Sequence, residues 1–80
     1  MAPDDFEILS GIRNIQTIAA GQGVKIVRRL RRKYGAGRWR KMKGVALVRE
    51  YNGVTYEAEI RWFEAHRIGK RDCKIKRRLA

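Results

Sequence analysis

The sequence predicts an α+β domain of two layers, in which one main amphipathic helix packs on a three- to four-stranded antiparallel sheet in the order β-α-β-β-β. Two runs of alternating apolar and polar residues flank Asn52-Gly53, which favours a hairpin turn because both residues accept positive φ. Residues 24–34 carry apolar side chains at helical spacing. Residues 72–78 alternate once more, as a further strand of the same sheet would.

The hairpin determines which side chains share a face of the sheet. A two-residue loop pairs Leu47 with Ala58 and Val45 with Ile60, and successive residues then point to opposite faces. The predicted core face carries Val45, Leu47, Tyr56, Ala58, Ile60 and Trp62. The predicted opposite face carries Ala46, Val48, Glu57, Glu59, Arg61 and Phe63.

The segment before the helix gives weaker signals. Residues 1–11 predict either a short helical turn with Asp4 as its N-cap or a frayed terminus. Residues 12–19 fit a helical stripe, but their Ile and Thr side chains favour a strand. We predict a strand there, because a hairpin needs a further strand to be stable.

The helix is predicted from Val27, Leu30 and Tyr34, which recur at i, i+3 and i+7. Gly35 is placed to end it. Its apolar stripe is expected to cover the core face of the hairpin.

The last strand is predicted over residues 72–78 beside the second strand of the hairpin. Cys73 and Ile75 then point to the core face. Lys74 and Lys76 lie across from Glu57 and Glu59, where opposite charges stabilise strand pairing.

Length and cysteine content predict one small domain over residues 1–80, near the small end of what folds alone. The single cysteine, Cys73, has no partner for an internal disulfide, and the acidic N-terminus is unlike a secretory signal. No apolar run approaches the roughly 20 residues that span a bilayer. We therefore expect a cytoplasmic protein that does not enter a membrane.

The charge pattern indicates a polyanionic partner. The chain has 20 Lys and Arg against 8 Asp and Glu, a net charge of +12. Residues 23–43 contain basic side chains and no acidic one. Such a field favours nucleic acid, RNA somewhat ahead of DNA because no helix-turn-helix pair is visible. A second hypothesis is an adaptor that binds an acidic protein, and either a monomer or a homodimer fits the sequence.

Phosphate binding is assigned to an Arg-rich helix and loop and to the last strand, since the forked guanidinium of Arg suits phosphate. Trp39 lies between two arginines, where it would either stack on an unpaired base or pack over the end of the helix. The candidate nucleic-acid-binding residues are Lys25, Arg28, Arg29, Arg32, Arg38, Trp39, Arg40, Lys43, Lys74 and Lys76.

A third hypothesis is metal-independent cleavage of RNA. Glu59 would act as the base, His66 as the acid, and Arg61 or Lys74 would stabilise the phosphorane. The alternative for these residues is an ordinary solvated face with a surface histidine. We predict no metal and no cofactor, because one Cys and one His cannot fill a zinc site.

The order of elements, with Arg40-Lys41-Met42-Lys43-Gly44 leading into the hairpin, resembles the RelE/ParE-type toxins and the wider barnase/colicin-like ribonuclease group. The resemblance spans residues 12–78. It implies that RNA binds the sheet face opposite the helices and that an antitoxin is an acidic partner. The functional residues that it implies are Lys43, Glu59, Arg61, His66 and Lys74. This chain departs from those toxins by having one helix where they have a longer helical hairpin.

Overall fold

The computed structural model describes residues 6–80, which form five strands and one α-helix. The elements are β1 (Phe6–Ile8), β2 (Arg13–Ala20), a 3-10 turn (Gly21–Gly23), α1 (Val27–Tyr34), β3 (Arg40–Glu50), β4 (Thr55–Ala65) and β5 (Gly69–Arg78). The predicted cap Asp4 lies outside the described residues. Where a helical turn was predicted, residues 6–8 form a strand instead, and the strand predicted over residues 12–19 is β2.

All five strands form one antiparallel sheet with β3 and β4 at its centre. β5 pairs with the free side of β4. β1 and β2 share the other edge: β1 pairs with the last residues of β3, and β2 pairs with its first half. Between them, Ser10 Oγ accepts a hydrogen bond of 2.9 Å from the Leu47 amide. The N-terminal segment therefore runs along most of the length of β3.

The predicted two-layer α+β fold with a main amphipathic helix is wrong, because the chain is mostly strand and forms a curled antiparallel sheet with one short helix. The helix has eight residues, and its apolar side chains Val27, Leu30 and Tyr34 are enough to cover only one end of the sheet. The rest of the core is covered by the edges of the sheet itself. β3 and β4, at 11 residues each, are long enough to curl.

The predicted register of the hairpin is wrong by one residue. The Glu50 amide donates to the Val54 carbonyl at 2.9 Å, so the loop holds three residues, with Gly53 at φ +89°. Leu47 then pairs with Glu57, and Ala46 pairs with Ala58. A one-residue shift moves every side chain of β3 to the other face. The buried residues of β3 are therefore Met42, Gly44, Ala46 and Val48, whereas the prediction for β4 holds.

The position predicted for the last strand is correct, but its predicted charge pairing is wrong. Two irregularities in the pairing, one at Lys76 and one at Asp72, shift its register against β4. Lys74 consequently lies opposite Arg61, and Glu59 lies opposite Arg77. Cys73 and Ile75 pack against the core, as predicted.

The first core fills the face of β3 and β4 that we call the core face. Its buried members are Met42, Ala46, Val48, Tyr56, Ala58, Ile60 and Trp62. Phe6, Ile8 and Ile12 pack against it from the N-terminal segment. The N-terminal segment packs tightly on β3 at Gly44, where an added β-carbon would lie 2.5 Å from the Ile12 side chain. The sheet can curl here because Gly44 has no side chain.

A second core lies under α1 at one end of the sheet. Val24, Leu30, Trp39 and Ala65 are buried in it. The Trp39 indole N–H donates to the Gly35 carbonyl at 3.1 Å. Tyr34 and Arg29 of α1 both contact the carboxylate of Asp72, the first by a hydrogen bond and the second at 3.7 Å. These contacts join the helix to the irregular part of β5.

Candidate nucleic-acid interface

Opposite the core face, β3, β4 and β5 present a row of three cationic side chains. Lys43 pairs with Arg61, and Arg61 pairs with Lys74, so the three lie side by side across the strands. Lys41 lies two residues before Lys43 on the same side of β3, opposite Phe63. We call the surface formed by Lys41, Lys43, Arg61, Phe63 and Lys74 the cationic face.

On β4, the carboxylate of Glu59 is paired with one member of this row, Arg61, whereas Asp72 of β5 lines the neighbouring groove and pairs with Arg29. Glu59 is only 6 % exposed. It accepts hydrogen bonds of 3.0 Å from both Arg61 and Arg77. The hydrogen bond from Arg61, aided by the charges of both arginines, holds the pKa of Glu59 below its ordinary value although burial opposes this. Glu59 is thus an ionised anchor that fixes two guanidinium groups.

Two grooves cross the cationic face beside α1. The first has a volume of about 330 Å³ and is lined by Arg29, Arg61, Lys74 and Lys76, among others. The second has a volume of about 380 Å³ and is lined by Lys25 and Ile18, among others. Ile26, Lys41 and Phe63 line both grooves. Each groove therefore combines an apolar wall with amine or guanidinium groups.

The structure brings together part of the predicted binding set. Lys25, Arg29, Lys74 and Lys76 line the two grooves, and Lys43 lines a third, smaller groove on the same face. Arg28, Arg32 and Arg38 are exposed but line none of these three grooves.

Two predicted binding residues lie away from the cationic face. Arg40 is on the opposite side of β3, where it forms an ion pair of 2.8 Å with Glu64. Trp39 is fully buried, so of its two predicted roles the structure shows packing against the end of the helix. Its ring is not available to a base.

Of the residues predicted for RNA cleavage, Glu59, Arg61 and Lys74 lie together, but His66 lies apart from them. Glu59 contacts Arg61, but His66 lies in the exposed turn after β4. The six residue-to-residue steps from Glu59 to Ala65 span ~20 Å at ~3.3 Å each, so Glu59 and His66 are too far apart to act on one phosphodiester. A carboxylate with a lowered pKa and both oxygens occupied is also a weak base.

Sequence reasoning missed Phe63 as a member of the site and left Lys41, which it counted among the basic residues of the loop, out of the candidate binding set. The two residues are direct neighbours across β3 and β4. Lys41 and Lys43 are two residues apart, so strand periodicity alone places them on one face. Because the predicted register of β3 was wrong, it paired neither lysine with the residue that it faces on β4.

Within residues 6–80, no group of three or more His, Cys, Asp or Glu side chains is placed to hold a metal ion. No helix of that range has the length and apolar character that crossing a bilayer requires. Burial raises the pKa of the Cys73 thiol, so this side chain is protonated at neutral pH and is a poor nucleophile.

No family model, curated protein or solved structure matches this chain.

Proposed function

We propose that this protein binds nucleic acid through the cationic face and the neighbouring side of α1. The observation that carries the proposal is the row Lys43–Arg61–Lys74, in which three like charges lie directly opposite one another. Like charges in this position destabilise a sheet. A phosphate backbone laid across the row replaces that repulsion with attraction to several cations at once.

The ion pairs of the chain support this proposal. Among residues 6–80, neither Lys43 nor Lys74 takes part in a salt bridge. Arg61 is held in place by Glu59 while keeping 30 % of its side chain exposed. The face thus combines two free ammonium groups with a fixed guanidinium, and guanidinium binds phosphate with two parallel hydrogen bonds.

RNA is the favoured partner, ahead of DNA. The apolar side of α1 is committed to the second core, and the helix has eight residues. Sequence-specific reading of DNA duplexes commonly uses a helix that enters the major groove. Recognition by a sheet face with adjoining grooves is better suited to single strands, in which RNA is commonly recognised.

The proposal is tested by removing two charges from the row without disturbing Glu59. In the double variant Lys43→Gln/Lys74→Gln, we expect the dependence of log K on log salt to lose about 1.4 units of slope, because two phosphate contacts to a single strand disappear. Affinity for a fluorescent single-stranded RNA is measured by anisotropy between roughly 50 and 200 mM salt.

The matched control is Arg31→Gln/Arg67→Gln, which removes the same net charge from two exposed side chains outside the three grooves. It should lower affinity less and leave the slope nearly unchanged. Equal losses in the two double variants would contradict a defined site. Retention of an acidic protein, with no binding to any nucleic acid at low salt, would replace this proposal with the adaptor function.

A further inference from the structure

Phe63 is an aromatic side chain that lies between the two grooves of the cationic face. It is half-buried: it packs against the second core and also lines both grooves. Ile26 lines the same two grooves. The two grooves therefore share one apolar site, formed by Phe63 and Ile26, although the first groove also holds the carboxylate of Asp72.

Cationic side chains surround that apolar site. Lys41 lies directly opposite Phe63 on β3 and lines both grooves. Arg61 is two residues away on the same face of β4, and Arg29 reaches the first groove from α1. A phosphate chain bound to these groups carries its bases within reach of the Phe63 ring.

Most other aromatic rings of the described chain are committed elsewhere. Trp39 and Trp62 are 0 % and 1 % exposed, and Tyr56 is 8 % exposed. The Tyr34 hydroxyl donates to Asp72. Tyr51 is 71 % exposed but lies in the loop of the hairpin, beyond the grooves.

We infer that Phe63 is a stacking site for an unpaired base, so that the ligand of the cationic face is a single-stranded nucleic acid. This inference rests on the proposed function, because the cations must first bind the phosphates. A ring recessed between two grooves is accessible to a base that has left its stack, whereas a base inside a duplex is covered by its neighbours. Stacking on an aromatic ring accepts any base and adds to the phosphate contacts.

The test compares strands that carry the same phosphates with and without bases. Oligo(U), oligo(dT) and an abasic strand, each of about 12 nucleotides, are bound to the full chain and followed by anisotropy. We expect the base-bearing strands to bind about 5- to 150-fold more tightly than the abasic strand, the range for loss of one base–aromatic stack. In Phe63→Leu this difference should disappear, while affinity for the abasic strand and the salt slope remain those of the wild type.

Phe63→Tyr keeps the ring and should keep the preference for base-bearing strands. Equal affinity of the wild type for base-bearing and abasic strands would overturn the inference. So would a parallel loss of both affinities in Phe63→Leu, because that result indicates a structural role. Failure of all three strands to bind at low salt would instead overturn the proposed function, so the two failures are distinguishable.

Discussion

The two faces of β3 and β4 are made from alternate residues of the same two strands, yet their side chains differ in the partners that the chain gives them. On the core face, side chains such as Val48 and Trp62 are buried by other parts of the chain. On the cationic face, Lys43 and Lys74 lie beside Arg61 and have no carboxylate partner among the described residues. The core face therefore serves the fold alone, whereas the cationic face carries a repulsion that an anionic ligand would relieve.

The largest effect on stability is expected from truncating Trp62 on the core face. Trp62→Ala removes a side chain that is 1 % exposed, and we expect a loss of about 3–5 kcal/mol in the free energy of unfolding. An 80-residue domain has only about 4–12 kcal/mol in total. Chemical denaturation followed by circular dichroism measures the loss. The neighbouring Phe63→Leu should cost less than about 1.5 kcal/mol, and equal losses would show that the two faces do not differ in this way.

A smaller effect on the core face is expected at Gly44. Gly44→Ala places a β-carbon 2.5 Å from Ile12 and 3.1 Å from the Arg13 carbonyl, so the N-terminal segment must shift. We expect a loss of about 1–3 kcal/mol, the usual range for overpacking. The control is Gly11→Ala, whose β-carbon meets nothing within 4 Å. Unfolding midpoints that fall equally in both variants would contradict a close approach at Gly44.

On the cationic face, Glu59 should make stability depend on pH. Its pKa is lowered in the fold, so its contribution is present above the ordinary value of 4.5 and is lost as pH falls through the lower folded value. Wild-type stability should therefore decline in acid, and Glu59→Gln should flatten that part of the profile. Thermal unfolding of both proteins between neutral and acid pH measures the pH dependence of their stability. A variant profile as steep as the wild type would assign the acid sensitivity to other carboxylates.

The smallest expected effect on stability is a gain, and it comes from removing two charges of the cationic face. Lys43→Gln/Lys74→Gln removes like charges that face Arg61 across the strands. We expect a gain of about 0.2–1 kcal/mol in the free energy of unfolding at low salt. If the proposed function is correct, the same variant loses affinity for nucleic acid. Thermal melting at two salt concentrations measures the gain, which should shrink as salt screens the charges. A loss of stability would show that these lysines support the fold.

The positions of four of the five strands could be predicted from the sequence, but β1 was not predicted and the register of the hairpin was wrong. Asn52-Gly53 marks the hairpin correctly, and alternation on β4 gives its buried residues correctly. The number of residues in the loop could not be predicted from Asn52-Gly53, because both two- and three-residue loops use a glycine at positive φ. That one residue moved Leu47 off the core face and Ala46 onto it.

The helix and the last strand show two further limits. The apolar residues of α1 predict a helix, and Gly35 ends it, but they do not reveal that the helix covers only one end of the sheet. The irregular pairing of β5 cannot be predicted from its alternating sequence. This pairing places Arg77 opposite Glu59, to which it donates a hydrogen bond. The sequence left two roles open for Trp39 and gave no role in the site to Phe63, because ring exposure depends on tertiary packing.

The shared edge formed by β1 and β2 has a consequence for how the chain folds. β3, β4 and β5 follow one another through short turns, so their pairing closes small loops. The pairing of Glu7 with Arg49 joins residues 42 positions apart and closes a much larger loop. Contacts between distant parts of a sequence form late and slowly. We expect the three-stranded meander to form first, and the N-terminal segment to dock last, over the gap left by Gly44.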